Sequence, residues 1–89
     1  MKHTHCQSCD RPIVKPVDRG TNENGTLSDT YCGHCFSMGY FREPELTLAE
    51  MEAKVAERHQ DMGWPGFLAR LLARRVRKLE RWAGRQVQG

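Results

Sequence analysis

The sequence has no long apolar run and no apolar leader at its N-terminus. No segment reaches the roughly 18 consecutive apolar residues that a membrane-spanning helix needs. Residues 1–6 are polar and do not resemble the apolar stretch of a secretory signal peptide. These absences argue against a membrane-spanning or secreted protein, so we expect a cytoplasmic protein in a reducing environment.

The chain also lacks the patterns that usually carry catalysis. It shows no convincing nucleophile–base pair, phosphate-binding loop or carboxylate constellation. It contains no internal repeat and no low-complexity tract. We therefore expect no enzymatic activity, and no small-molecule substrate is evident.

Apolar residues are scarce for a chain of this length. Hydrophobic residues make up 38% of the 89 positions. A domain of this size buries only about 60% of the surface that its unfolded chain exposes, so an apolar core alone stabilises it poorly. Such domains commonly add a bound metal or disulfide bonds. The four cysteines are the residues that could supply either cross-link.

The cysteines form two Cys-x-x-Cys pairs that 22 residues separate. A spacing of two residues lets one tight turn present both sulfurs to the same ion, and two such pairs are typical of zinc sites. Zn²⁺ takes four thiolates in tetrahedral geometry at about 2.3 Å, which leaves no open position for catalysis. The pattern predicts one structural Zn²⁺ per chain, and its ligands are Cys6, Cys9, Cys32 and Cys35.

Other interpretations of the cysteines are weaker. A thioredoxin-like redox pair would need a βαβ context, which the sequence does not show. Two disulfides would need an oxidising compartment, while iron in place of zinc stays open because spacing alone does not separate the two metals. His3, His5 and His34 lie beside the cysteines and could replace or contact a thiolate. Because four cysteines already complete a site, we expect these histidines to be surface residues.

Residues 1–45 predict a small β structure built around the cysteines. The strand-like stretches are residues 13–14 and 27–31. Asn24 and Gly25 lie between them, and Asn-Gly is a strong hairpin signal because both residues tolerate positive φ. We predict a zinc ribbon over residues 1–45 with one short β-hairpin, whose tip lies near residues 23–26.

Residues 46–89 predict two helices. Thr47 and Glu50 fit a capping box, which places the first helix over residues 48–62. A glycine- and proline-containing segment, residues 63–66, separates it from a second helix over residues 65–83. The apolar positions predicted for the first helix are Leu48, Met51, Val55 and Met62. Those predicted for the second are Phe67, Leu68, Leu71, Leu72, Val76, Leu79, Trp82 and Ala83.

Together these patterns predict a small zinc-stabilised α+β fold. It consists of an N-terminal four-cysteine zinc ribbon with a short β-hairpin, followed by two α-helices. We expect the helical hairpin of residues 46–89 to pack on the ribbon, so that the chain is a single structural unit. We also expect Trp64 and Trp82 to be packed, because a core this small needs every large side chain.

Net positive charge is confined to the C-terminal segment. The net charge is +3, but residues 67–89 carry seven basic residues against one acidic residue. On a helix, six of them fall in one stripe: Arg70, Arg74, Arg77, Lys78, Arg81 and Arg85. Such a stripe suits nucleic-acid phosphates, an anionic membrane surface or an acidic protein. The usual alternative is internal pairing, here with Glu50, Glu57 and Asp61 of the first helix.

Several short motifs occur together along most of the chain. They are Cys6-Gln-Ser-Cys9 with Pro12, Gly20-Thr21, Asn24-Gly25, Tyr31-Cys32-Gly-His-Cys35-Phe36, Gly39-Tyr40-Phe41, Pro44, Leu46-Thr47, Glu50-Met51 and Leu79-Glu80-Arg81-Trp82. This combination resembles the bacterial putative zinc ribbon domain proteins. The resemblance implies a zinc ribbon fold, a bound zinc and an association with bacterial regulatory proteins. Asp10 departs from the family, which usually has glycine there, although Asp tolerates left-handed backbone better than most residues.

We therefore expect a zinc-binding structural or interaction module that acts as a bacterial regulatory protein. Its partner is expected to be a protein, and the second helix is the element expected to face it. One alternative is a nucleic-acid-binding protein that uses the basic stripe. Another is a redox or metal sensor whose thiolates respond to oxidation.

Overall fold

The computed structural model describes the backbone of residues 3–86 and the side chains of residues 3–83. It divides into two compact units, Met1–Glu45 and Leu46–Gly89, which we call the ribbon unit and the helical unit. Within the described residues, the ribbon unit contains two β-hairpins and all four cysteines, and the helical unit contains three α-helices. This is the predicted small α+β fold. The expectation that the helices pack on the ribbon as a single structural unit stays a prediction.

The first hairpin of the ribbon unit pairs β1 (Arg19–Thr21) with β2 (Leu27–Cys32). Its turn is closed by hydrogen bonds from Asn22 N–H to the Thr26 carbonyl and from Gly25 N–H to the Asn22 carbonyl. Gly25 has a φ of 85°, which glycine adopts without strain. The tip therefore lies where the Asn-Gly signal predicts it.

The predicted partner strand of this hairpin was wrong. Residues 13–14 do not pair with β2, because Ile13 donates its N–H to the Thr4 carbonyl and Pro12 forms an isolated bridge with His5. Ile13 is fully buried in the ribbon unit. Of this stretch, Ile13 contributes to the interior of the ribbon unit, whereas Val14 is exposed.

A second hairpin, which the sequence patterns did not predict, pairs β3 (Phe36–Ser37) with β4 (Tyr40–Phe41). Its two turn residues, Met38 and Gly39, have φ values of 52° and 89°. Positive φ at both positions characterises the type I′ turns that suit two-residue hairpins. The rings of Tyr31, Phe36 and Phe41 pack together, with centroids 4.8 to 5.4 Å apart.

In the helical unit, α1 (Leu48–Asp61) begins and ends as its sequence predicts. The Glu50 N–H donates to the Thr47 hydroxyl at 3.1 Å, and the Thr47 N–H donates to the Glu50 carboxylate at 2.9 Å. At the other end, Gly63 has a φ of 103°. The N–H groups of Gly63 and Trp64 close the helix on the carbonyls of Gln60 and His59, which is a Schellman motif.

The second predicted helix is not continuous. It consists of α2 (Gly66–Ala73), a 3₁₀ segment (Arg74–Lys78) and, after the extended residue Leu79, α3 (Glu80–Gln86). In an unbroken helix at about 100° per residue, Trp82 would lie about 180° from Ala73. The break brings both residues into buried positions, although no proline or glycine marks it in the sequence.

The buried side of the second helical segment also differs from the predicted apolar face. Helix α1 packs against α2, and α2 buries Ala69 and Ala73 while Phe67 and Leu71 are exposed. Trp82 is fully buried as expected, whereas Trp64 is exposed. The buried apolar residues of the unit are Leu46, Met51, Val55, Ala56, Ala69, Ala73, Val76, Leu79 and Trp82. Within residues 3–86, no helix combines the length and the apolar character that crossing a bilayer requires.

Candidate metal centre and basic surface

The first cysteine pair sits in a tight backbone turn. The Cys6 N–H donates to the Arg11 carbonyl at 2.7 Å, and the Asp10 N–H donates to the Cys6 carbonyl at 2.9 Å. The Ser8 N–H points at the Cys6 sulfur at 3.4 Å. Asp10 has a φ of 66°, so it takes the left-handed conformation, which Asp tolerates better than most residues. The turn thereby directs the sulfurs of Cys6 and Cys9 to one side.

The second pair lies between the two hairpins. Cys32 is the last residue of β2, and Cys35 precedes β3. The Cys35 N–H donates to the Cys32 carbonyl at 3.2 Å, and the Arg42 N–H donates to the Cys35 carbonyl at 2.8 Å. A further bond from the Gln7 N–H to the Thr30 carbonyl ties the first turn to β2. Hydrogen bonds within each turn, together with the bond from Gln7 to β2, therefore hold both cysteine pairs at the same strand.

The structure brings all four cysteines together. Their sulfurs lie within 4.8 Å of one another, and those of Cys9 and Cys32 are 3.6 Å apart. A tetrahedral site with bonds of about 2.3 Å places its sulfurs about 3.8 Å apart, whereas a disulfide needs about 2.05 Å. The four thiols are unpaired by disulfides and at most 8% exposed. The donor set therefore fits one ion with four thiolates, and zinc bound there supplies a cross-link between the two pairs.

The sulfur contacts also set the pKa values of the thiols. Hydrogen bonding between Cys32 and Cys35 lowers the pKa of Cys32 to about 7 and raises that of Cys35. Hydrogen bonding with Cys32 raises the pKa of Cys6 and lowers that of Cys9. Without a cation, four negative charges in one buried space repel, so the cluster retains protons at neutral pH. Zinc binding releases these protons, and its affinity therefore falls as the pH falls.

The neighbouring histidines do not join the cluster. Within the described residues, the group of potential ligands contains cysteines alone. His34 is exposed beside a surface cleft that Arg11, Arg42 and Cys32 also line. His59, on α1, hydrogen-bonds to the Val55 carbonyl at 2.8 Å.

One buried residue of the ribbon unit was missed by the sequence analysis. Arg19 is buried, and its guanidinium donates to the carbonyls of Ser28 at 2.9 Å and His3 at 2.7 Å. It faces Cys32 across the ladder of the first hairpin. Arg19 thus ties the segment before the first cysteine pair to the strand before the second. The sequence gives no indication of this role, because a single arginine in a polar stretch is usually a surface residue.

The structure separates the six residues of the predicted basic stripe onto three elements. Arg77 pairs with Glu52 of α1, with its Nε 3.0 Å from Oε2 and Nη2 2.9 Å from the same oxygen. Arg81 is buried, and its guanidinium lies 4.5 Å from the ring centroid of Trp82. The side chain of Arg85 lies outside the described residues. The basic stripe was predicted for a continuous helix. The break at Leu79 interrupts that helix, so the six residues do not form one stripe.

Of the five stripe residues whose side chains the structure describes, three are exposed, namely Arg70, Arg74 and Lys78. Within the described part of the chain, none of them has an ion-pair partner. Among the described residues, the pairing with α1 is made by Glu52 and not by the predicted Glu50, Glu57 or Asp61; Glu50 caps α1 instead. Within the described residues, the three basic side chains are what remains of the stripe as an exposed, unpaired basic group.

Comparison with known proteins supports the zinc site. Comparisons with curated proteins and with solved structures give no match. A family model described as a putative zinc ribbon domain matches residues 5–83, which include all four clustered cysteines. The zinc ribbon family inferred from the cysteine spacing and its flanking motifs is thereby confirmed. This chain belongs to the putative zinc ribbon domain family and is a zinc-binding module that takes one Zn²⁺ in its four-cysteine site.

Proposed function

We propose that this protein is a zinc-stabilised interaction module of a bacterial regulatory system, and that its helical unit binds a partner protein. The observation that carries the proposal is the exposure of Phe67 and Leu71 on a well-formed helix, 67% and 54% respectively. A chain so poor in apolar residues gains little by presenting two large ones to water. Exposed apolar side chains grouped on one face are typical of sites that bind other molecules.

The proposed role of the zinc is structural, and we propose that the protein is not an enzyme. Four cysteine ligands close the coordination sphere, so no position remains for a substrate or a catalytic water. All four cysteines are buried, which disfavours rapid oxidation of their thiolates and therefore the sensor hypothesis. We propose that the ion stabilises the ribbon unit and that exposed side chains of the helical unit recognise the partner.

A bait experiment tests the interaction. Zinc-loaded protein, a Phe67→Ser/Leu71→Ser variant and a Val17→Ser variant are incubated with lysate of the source organism, and retained proteins are identified by mass spectrometry. Val17 is an exposed apolar residue of the ribbon unit, so it controls for unspecific stickiness. We expect a protein that the wild type and Val17→Ser retain and the double variant loses. Equal retention by all three, or no retained protein, would contradict the proposal.

Nucleic-acid binding is the second candidate, because Arg70, Arg74 and Lys78 are exposed without ion-pair partners in the described residues. Three phosphate contacts to duplex DNA give a slope of log affinity against log salt of about −2.7. We expect these contacts to be made to phosphates, so binding should be nearly independent of sequence. A titration with random duplex at two salt concentrations tests this candidate. Absence of binding at low salt eliminates it.

A further inference from the structure

The exposed side of α2 combines apolar and basic side chains. Phe67 and Leu71 are one turn apart and therefore lie on the same side of the helix. Ala69 and Ala73, on the other side, are 0% and 2% exposed. Phe67 and Leu71 thus face away from the core that α1 and α2 share, while Leu68 and Leu72 are half-buried.

Arginines border the two apolar side chains. At about 100° per residue, Arg74 lies about 20° and Arg70 about 60° from Phe67, on the side opposite Leu71. Both arginines are exposed and line a cleft beside α1 that Glu57 also lines, but neither side chain has a hydrogen-bond or ion-pair partner within the described residues. Arg77 differs, since Glu52 neutralises it. We call Phe67, Arg70, Leu71 and Arg74 the α2 face.

The chemistry of the α2 face restricts the kind of molecule that can bind there. A symmetric dimer through this face would bring Arg70 and Arg74 of both copies to one interface, where like charges repel. An interfacial membrane helix needs a broad apolar face opposite its charges. Here the exposed apolar arc, from Phe67 to Leu71, spans only about 40°, because Leu68 and Leu72 beyond it are half-buried, and arginine borders it directly. A nucleic acid would use the arginines but would gain little from Leu71, which cannot stack on a base as an aromatic ring does.

A protein segment that carries both apolar and acidic side chains can contact both the apolar and the basic residues of the α2 face. Apolar side chains one turn apart on a partner helix can contact Phe67 and Leu71, as in helix-in-groove recognition. Carboxylates beside them can accept paired hydrogen bonds from the guanidinium groups of Arg70 and Arg74. Aromatic and arginine side chains are also the types enriched where interfaces gain most of their binding energy.

We propose that the α2 face binds an acidic amphipathic helix of a partner protein. The proposal rests on the proposed function, which it deepens by naming the chemistry of the partner. Phe67 and Leu71 supply the apolar contact, and Arg70 and Arg74 select acidic segments over neutral ones. Because these charges are exposed, their contribution appears mainly in selectivity and in salt dependence.

Two synthetic peptides test the proposal. The first is a fluorescein-labelled peptide of about four helical turns, with a leucine stripe at helical spacing and glutamates on both sides of it. The second has glutamine in place of every glutamate. Anisotropy titrations of the zinc-loaded protein should show about tenfold or greater preference for the glutamate peptide at low salt. Equal affinity for the two peptides, or no binding of either, would overturn the proposal.

Matched variants locate the contact. Arg70→Gln should reduce the affinity for the glutamate peptide and leave the glutamine peptide unaffected. Lys15→Gln removes the same charge from an exposed position in the ribbon unit and should change neither affinity. Phe67→Ser should weaken both peptides. Zinc content and circular dichroism show that each variant is folded, and an equal effect of Arg70→Gln and Lys15→Gln would overturn the assignment to α2.

Two further probes address the other macromolecules. Phosphatidylcholine vesicles with about one third phosphatidylserine and a random DNA duplex replace the peptides in the same titration. Tighter binding of either probe than of the glutamate peptide would overturn the proposal. The bait experiment distinguishes a failure of the acidic-helix proposal from a failure of the proposed interaction function. A partner that needs Phe67 and Leu71, together with indifference to the glutamate peptide, would keep the interaction module and reject the acidic helix.

Discussion

The two units of this chain bury different kinds of residue. In the ribbon unit the buried positions include four cysteines, Ser8, Ser28 and Arg19, with Ile13 as the one aliphatic residue among those described. In the helical unit they are mainly aliphatic residues, alanine and Trp82. Burial of apolar surface is the main driving force of folding. The ribbon unit therefore depends on its ion and its hydrogen bonds, while the helical unit depends on side-chain packing and helix caps.

The largest expected effect is the loss of zinc. Structural zinc sites contribute roughly 10–16 kcal/mol of apparent binding free energy at neutral pH, and that energy is folding energy for the unit that holds the ion. We expect Cys32→Ser to lower the zinc content from one equivalent per chain to a small fraction and to disorder the ribbon unit. His34→Gln is the control, because His34 is exposed and outside the cluster. Elemental analysis and amide NMR spectra measure both effects, and a folded ribbon unit in Cys32→Ser would be the contrary result.

In the helical unit, the largest effect should come from the core. Met51 is buried, and truncation of such a side chain to alanine costs about 2–5 kcal/mol of unfolding free energy. Met62 is 64% exposed, so Met62→Ala should change stability by less than about 0.5 kcal/mol. Thermal unfolding followed by circular dichroism compares the two variants. Equal effects would show that Met51 does not lie in a packed core.

A glycine pair tests backbone packing in the ribbon unit. A Cβ on Gly20 would lie 2.3 Å from the Phe36 carbonyl oxygen, so Gly20→Ala must move the backbone that joins the two hairpins. A Cβ on Gly33 would meet its nearest atom, the Arg19 carbonyl oxygen, at an ordinary 3.5 Å. We expect Gly20→Ala to destabilise the zinc-loaded ribbon by at least about 2 kcal/mol and Gly33→Ala by less than about 1 kcal/mol. Competition with a chelator measures the zinc affinity of each variant. Similar zinc affinities of Gly20→Ala and Gly33→Ala would contradict this prediction.

The smallest expected effect concerns the cap of α1. Thr47→Ala should destabilise the helical unit by about 1 kcal/mol, since it removes an N-cap acceptor. Hydrogen bonds from Thr47 lower the pKa of Glu50 below its ordinary value of 4.5. Because the folded-state pKa is the lower one, this contribution is present above pH 4.5 and is lost as the pH falls through the lowered pKa. Glu50→Gln should therefore destabilise at pH 7 but not at the acidic end of a pH series of unfolding curves.

The sequence predicts best where function or structure depends on residues close together in the chain. The Cys-x-x-Cys pairs, the Thr47–Glu50 capping box and the Asn24-Gly25 turn are all local signals, and the structure realises each of them. Asp10 also adopts the left-handed conformation that its position requires. In each case the physical cause lies within a few residues.

Features that depend on distant contacts were not predictable in the same way. Strands β3 and β4 have two residues each, which is too short to show an alternating pattern. The break at Leu79 has no glycine or proline to announce it, and it follows from the burial of Val76, Leu79 and Trp82 together. The pattern of apolar residues therefore predicted a helical segment correctly, while it misplaced the side of α2 that faces the core.

The contrast between the two units is tested most directly by following each amide during removal of zinc. Chelator is titrated into the ¹⁵N-labelled protein at pH 7, amide NMR spectra are recorded, and zinc is then restored. We predict that resonances of the ribbon unit lose their dispersion and recover with zinc, while those of α1 and α2 persist throughout. An unchanged ribbon spectrum in the metal-free protein, or simultaneous loss of both units, would contradict this account.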